Sequence, residues 1–121
     1  DTKLANLYFT YQLSSKLGKD RGNPIIIASH PGWTATDLQR YSGVANFMNI
    51  FLGQNVKVGA LGGIRAATDP TAKSNDYFGS PSMGGMKGYP VLVKSNELSY
   101  NIDNAKKLWK LSEELTGVIY D

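Results

Sequence analysis

Four consecutive apolar residues, Ile25-Ile26-Ile27-Ala28, constrain this chain more than any other feature. The run is short and largely β-branched, and it breaks at once into Ser29-His30-Pro31-Gly32. A continuous apolar run of that length suits a strand buried on both faces, as in a parallel sheet covered by helices. The proline and glycine then end the strand and turn the chain.

The segments on either side have helical periodicity. Leu4, Leu7, Tyr8 and Tyr11 recur at i, i+3, i+4 and i+7, and Leu13 and Leu17 widen the face, which predicts a helix over 1–17. Gly18 offers its C-cap, and the loop KDRGNP follows. Asp37 to Gly53 is mixed. Asp37 offers a helix cap there, and Val44, Phe47, Met48, Phe51 and Leu52 have helical spacing. Asn55 to Thr68 predicts a better helix, with Val58, Leu61 and Ile64 on compatible faces. Gly59, Gly62 and Gly63 lie inside it, each at a cost of up to about 1 kcal/mol relative to alanine. Close packing against a helix or the sheet is the expected reason. Asp69-Pro70 ends this helix.

Asp76 to Gly79 predicts a short strand, SPSMGGMKGYP a glycine-rich loop, and Val91 to Val93 another extended piece. Asn101 then caps a last helix, with Asp103 in its first turn. Ile102, Ala105, Leu108, Trp109 and Leu115 are its expected buried face, and Gly117 closes it. Helix, buried strand, glycine turn and helix follow one another as in α/β doubly wound folds. One strong strand and two weak ones are too few for such a sheet, because the Ile25–Ala28 strand would keep an unpaired edge. The expectation is the C-terminal half of a doubly wound parallel-sheet domain, residues 1–121, with the other half outside these residues.

The 121 residues allow one domain at most, and 41% hydrophobic with 19% charged residues is ordinary for a globular chain. There is no cysteine and only one histidine, His30, so disulfides, thiolate sites and histidine metal clusters are excluded. The formal charge of +3 is spread singly except at Lys106-Lys107, which argues against a nucleic-acid partner. FMNIFL, from Phe47 to Leu52, is far short of the roughly 20 apolar residues of a membrane span. The default location is the cytoplasm.

Two stretches carry the chemistry, TKLANLYFTYQL and SHPGWTATDL. By itself, Lys3 is a solvated lysine and Pro31-Gly32 is merely a turn. Together, the order Lys3-Leu4-Ala5-Asn6, Phe9, Leu13, then a buried strand ending in His30-Pro31-Gly32 with Thr36 beyond, resembles the C-terminal half of the short-chain dehydrogenase/reductase family. The retinol-dehydrogenase-like branch is the nearest resemblance. The Asp76-Tyr77-Phe78-Gly79 segment, the Gly88-Tyr89-Pro90 turn and AKKLWKLSEELTG extend it over nearly the whole chain.

The resemblance implies a Rossmann-like domain and an NAD(P)-dependent oxidoreductase, with NAD or NADP as cofactor. Hydride would pass between nicotinamide and a carbonyl or alcohol. In the family a tyrosine four residues before the lysine moves the proton, and here that position falls two places upstream of Asp1. The chain therefore reads as starting inside the catalytic motif. A free tyrosine titrates near 10, and an ammonium one helical turn away favours its phenolate. By resemblance that ammonium is Lys3, which would also hold the nicotinamide ribose. Pro31, Gly32, Trp33, Thr34 and Thr36 would shape the nicotinamide pocket. Trp33 either walls that pocket or packs in the core. His30 is expected to be structural.

Residues 37–54 fall where the family has its substrate loop, and Phe47, Met48 and Phe51 would meet an apolar substrate. The same residues suit an amphipathic helix packed on its own domain or on another subunit. The residues that choose NAD or NADP belong to the N-terminal half. Expected partners are a small carbonyl or alcohol, that N-terminal half and a second copy in a homo-oligomer. The isolated chain is expected to have no turnover. The alternative is a truncated, non-catalytic relative serving as an interaction module.

Overall fold

A computed structural model describes residues 2–18, 22, 24–32, 55–82 and 88–120. In chain order these form α1 (Thr2–Leu17), β1 (Ala28–Ser29), α2 (Val56–Thr68), β2 (Tyr77–Gly79), β3 (Val91–Leu92), a 3-10 turn (Glu97–Tyr100) and α3 (Ile102–Thr116). The architecture is α/β. The chain divides into two compact units. The first comprises Asp1–Ile27, Lys73–Asn75 and Lys94–Asp121, and the second Ala28–Ala72 and Asp76–Val93. The helix expected within Asp37–Gly53 and the pair Gly84-Gly85 lie outside the described residues.

In the first unit α1 packs against α3 and the 3-10 turn. The expected cap positions hold. Gly18 follows α1 at φ 68°, the Asn101 side chain accepts the Asn104 N–H at 2.9 Å, and Gly117 ends α3 at φ 70°. Trp109 and Ala105 are the buried apolar side chains of α3. The Phe9 ring stacks on Trp109 with centroids 5.1 Å apart, and Tyr120 meets the indole edge-on at 6.1 Å. The indole N–H donates to Glu113 Oε1 at 2.7 Å. Lys16 lies 5.5 Å from the indole centroid, and its ammonium donates to the Tyr120 carbonyl at 2.6 Å.

Two residues assigned to the buried face of α3 are instead exposed, Ile102 at 66% and Leu115 at 78%. Leu115 follows Trp109 by six residues, about 120° off the Trp109 stripe at about 100° per residue. Among the described residues α3 packs on α1 and not on that flank.

The 3-10 turn has no counterpart in the expected elements. Asn96 caps it by accepting the Leu98 N–H at 2.9 Å. It closes a chain of hydroxyls: Tyr11 Oη and Ser95 Oγ lie 2.7 Å apart, Ser95 Oγ and Ser99 Oγ 2.6 Å, and Ser99 donates to the Asn96 carbonyl. The Tyr11 and Tyr100 rings stack at 5.4 Å. Their phenols diverge. Burial raises Tyr11 above the ordinary tyrosine value, whereas hydrogen bonding with Ser95 lowers Tyr100.

The second unit holds a three-stranded sheet in the order β1-β2-β3. β1 pairs parallel to β2, with Ala28 opposite Tyr77, and β3 pairs antiparallel to β2, with Leu92 opposite Phe78. The sheet is thus mixed where a parallel one was expected. Eleven residues separate Gly79 from Val91. A parallel partner needs a crossover of about a dozen or more, so the chain returns beside β2 in the opposite sense. The strand expected over Ile25–Ala28 is also corrected: the ladder uses Ala28–Ser29, and Ile25 is 55% exposed. Burial on both faces requires a covering layer on each, and the described residues place none over Ile25.

α2 packs against β1 and β2. The Asn55 side chain accepts the Lys57 N–H at 2.9 Å and starts the helix. Gly59 and Gly62 are buried, and a Cβ on Gly62 would stand 3.5 Å from Ser29 Cβ. Gly62 thus packs against the strand as expected, whereas Gly63 is exposed. Phe78 is the core of the unit, at 2% exposure. The Arg65 guanidinium lies 5.1 Å from its ring centroid, pairs with Asp69 at 3.1 Å and donates to the Pro90 carbonyl at 2.7 Å. Hydrogen bonds from the Thr71 hydroxyl and N–H, more than Arg65, hold the Asp69 carboxyl below its usual range.

Gly88 has φ 113°, and a Cβ there would lie 3.2 Å from Pro81 Cδ. Gly88→Ala is expected to destabilise the protein by about 1–3 kcal/mol, because both the backbone conformation and the space favour glycine. Urea unfolding of the variant measures this.

Candidate functional site

β1 ends in the turn His30-Pro31-Gly32, and the turn is built from both its main chain and one side chain. The His30 N–H donates to the Phe78 carbonyl at 2.8 Å, which ties the strand end to β2. The His30 ring folds forward, and its Nδ1 accepts the Gly32 N–H at 3.0 Å. Gly32 has φ 70°, a conformation that costs a side-chain-bearing residue energy and glycine none. Pro31 is exposed, while His30 and Gly32 are half-buried. α2 backs the turn: a Cβ on Gly62 would stand 3.6 Å from the His30 carbonyl oxygen. A main chain without a Cβ, presented at the carboxyl end of a parallel strand, is where open α/β sheets receive ligands.

The expected site residues divide as follows. Pro31 and Gly32 share this turn in the second unit. Lys3 is the second residue of α1 in the first unit, with an exposed side chain. Trp33, Thr34 and Thr36, and the substrate-loop residues Phe47, Met48 and Phe51, lie outside the described residues.

Two contributions were not anticipated from sequence. One is the His30 ring as a hydrogen-bond acceptor within its own turn. Its signal was present: an acceptor side chain two residues before a glycine N–H is the arrangement that Asn and Asp use in side-chain turns. The other is Arg65, which fastens the Pro90 carbonyl to α2, and no local pattern announces that contact. The first unit also has an open cleft of ≈ 440 Å³ between Tyr11, Ser99, Tyr100 and Ala105, with Asn75 at φ 74° on its rim. Among the described residues no group of acidic residues or histidines could hold a metal ion, and no helix is long and apolar enough to cross a membrane.

A helix laid over a parallel strand pair, with a left-handed glycine at the carboxyl end of one strand, defines an α/β protein. No family model matches the chain. It is similar to two chloroplastic short-chain dehydrogenases of Brassica napus, TIC 32 A and TIC 32 B. It is 34% identical to each over 122 aligned positions, covering 94% of this chain and 35% of each relative. The chain thus spans about a third of the length of these curated relatives. Its fold is similar to the crystal structure of an uncharacterized protein from Mycobacterium paratuberculosis, with a TM-score of 0.70 and 29% identity, covering 100% of this chain and 39% of that one.

Proposed function

We propose that these residues are the C-terminal part of a short-chain dehydrogenase of the retinol-dehydrogenase-like kind. The whole protein would be an oxidoreductase that passes a hydride between NAD or NADP and an apolar carbonyl or alcohol. The observation that supports this reading is the Pro31-Gly32 turn, left-handed at Gly32, at the carboxyl end of β1. The similarity to short-chain dehydrogenases over 94% of the chain agrees with it.

The turn suits a flat ring approached by main chain, because Gly32 carries no Cβ and Pro31 lies exposed beside it. When bound, nicotinamide supplies the hydride chemistry. By the family resemblance, Pro31, Gly32, Trp33, Thr34 and Thr36 would shape its pocket, and Lys3 would hold the ribose. Lys3 also favours the phenolate of a tyrosine one helical turn before it, so that the proton of the substrate hydroxyl can be taken at neutral pH. Phe47, Met48 and Phe51 would meet an apolar substrate.

The test uses the full-length protein that carries this chain, with apolar alcohols and aldehydes and either dinucleotide. Dinucleotide reduction or oxidation is followed by nicotinamide absorbance. Lys3→Met is expected to lower kcat/KM about 10²-fold, the lower end of what a proton-transfer residue contributes. Absence of turnover in both directions with both dinucleotides would leave the non-catalytic interaction module as the reading.

A further inference from the structure

We infer that His30 is a positioning residue for the dinucleotide: its neutral ring holds the Gly32 N–H, and protonation at Nδ1 lets the Pro31-Gly32 turn go. This rests on the dehydrogenase reading above.

A neutral imidazole has one nitrogen that donates and one that accepts. Nδ1 accepts from Gly32, so the ring proton sits on Nε2. Protonation turns Nδ1 into a donor, and two N–H groups then face each other across 3.0 Å. The contact cannot survive that charge state. Meanwhile the main-chain N–H of the same residue is engaged by the Phe78 carbonyl. His30 is therefore anchored to the sheet at its backbone, and its ring is the part that controls the turn. Gly32 is the residue whose backbone a nicotinamide would approach. A turn freed from its ring acceptor samples conformations in which that approach is blocked, and ordering it again weakens binding.

The elements packed against the turn carry charged groups of their own. Among the described residues α2 brings Lys57 and Arg65, Asp69 follows the helix and pairs with Arg65 at 3.1 Å, and Asp76 precedes β2, its carbonyl accepting the Ala28 N–H. Tyr77 faces Ala28 in the ladder. Carboxylates, amines, guanidinium groups and phenols ordinarily titrate outside the interval from about pH 5 to 8, in which histidine changes charge. A step in that interval that the His30 variants lose reports the ring.

The experiment measures dissociation constants for NAD⁺ and NADP⁺ in the full-length protein between about pH 5 and 8. The wild type is compared with His30→Asn and His30→Leu. An asparagine oxygen can accept the N–H two residues on and does not titrate. Wild type is expected to bind about three- to tenfold more weakly at the acid end, the range of one lost hydrogen bond. His30→Asn should bind as tightly as wild type at the alkaline end, with no acid step. His30→Leu should be weak throughout. In amide NMR spectra the Gly32 signal should move with the wild-type ring titration and stay still in His30→Asn. Wild-type binding that is flat with pH, or an Asn variant keeping the acid step, overturns the role and leaves the dehydrogenase reading intact. Failure of wild type to bind either dinucleotide at any pH overturns both, and a Gly32 amide that ignores the ring titration overturns the hydrogen-bond switch alone.

Discussion

Trp109→Ala is expected to remove about 3–5 kcal/mol of stability, the loss typical of a buried tryptophan reduced to alanine. The indole is 7% exposed and touches neighbours on all sides: Phe9 on its face at 5.1 Å, Tyr120 at its edge at 6.1 Å and Lys16 at 5.5 Å. Its N–H is satisfied by Glu113. Alanine leaves the Phe9 ring without its stacking partner and frees the segment after Gly117 from α3. Native domains have about 5–15 kcal/mol in all, so this one side chain is a large share. Urea unfolding followed by far-ultraviolet circular dichroism gives the value. Glu113→Gln separates packing from charge, since the amide oxygen can still accept the indole N–H; it should cost far less. A Trp109→Ala loss below about 1 kcal/mol would mean that the ring is not the keystone of α1 against α3.

Phe78→Ala is expected to cost about as much, again about 3–5 kcal/mol, for a different reason. Phe78 sits on the middle strand, paired on both sides, and is 2% exposed. It also carries the Arg65 guanidinium at 5.1 Å from its ring centroid. Alanine leaves a cavity between α2 and the sheet and removes the shelf on which Arg65 reaches Asp69 and Pro90. Phe78→Leu keeps most of the volume and should cost under about 1.5 kcal/mol. If alanine and leucine cost the same, volume is not what Phe78 supplies. The pair of variants is read by thermal and urea unfolding.

These two residues show how far local pattern reaches. Trp109 was assigned to a buried face from its spacing, and the spacing was informative because α3 meets α1 along one stripe. The same reasoning misplaced Leu115, since periodicity marks apolar positions and does not say how wide the covered stripe is. Ile25 failed similarly. Its β-branched run has the composition of a covered strand, while its exposure depends on which layers lie above and below it. The 3-10 turn escaped because ELSY has no periodicity of its own: it is held by Asn96 and by the serine hydroxyls beneath it. In the candidate site, the Pro31-Gly32 turn was visible as a break after an apolar run. The forward fold of the His30 ring was not, because a rotamer depends on the acceptor and donor geometry around it.

The sequence by itself determined where the described helices start and stop. Asn55, Asn101, Gly18 and Gly117 are caps whose chemistry is local, since each satisfies backbone groups within a few residues. It also determined that a glycine turn follows an apolar run. Only the tertiary structure decided that β3 runs against β2, that α2 buries Gly62 against Ser29, and that Arg65 spans Phe78, Asp69 and Pro90. Those outcomes depend on residues far apart in the chain meeting at particular distances, and propensities summed over a short window carry no term for such meetings.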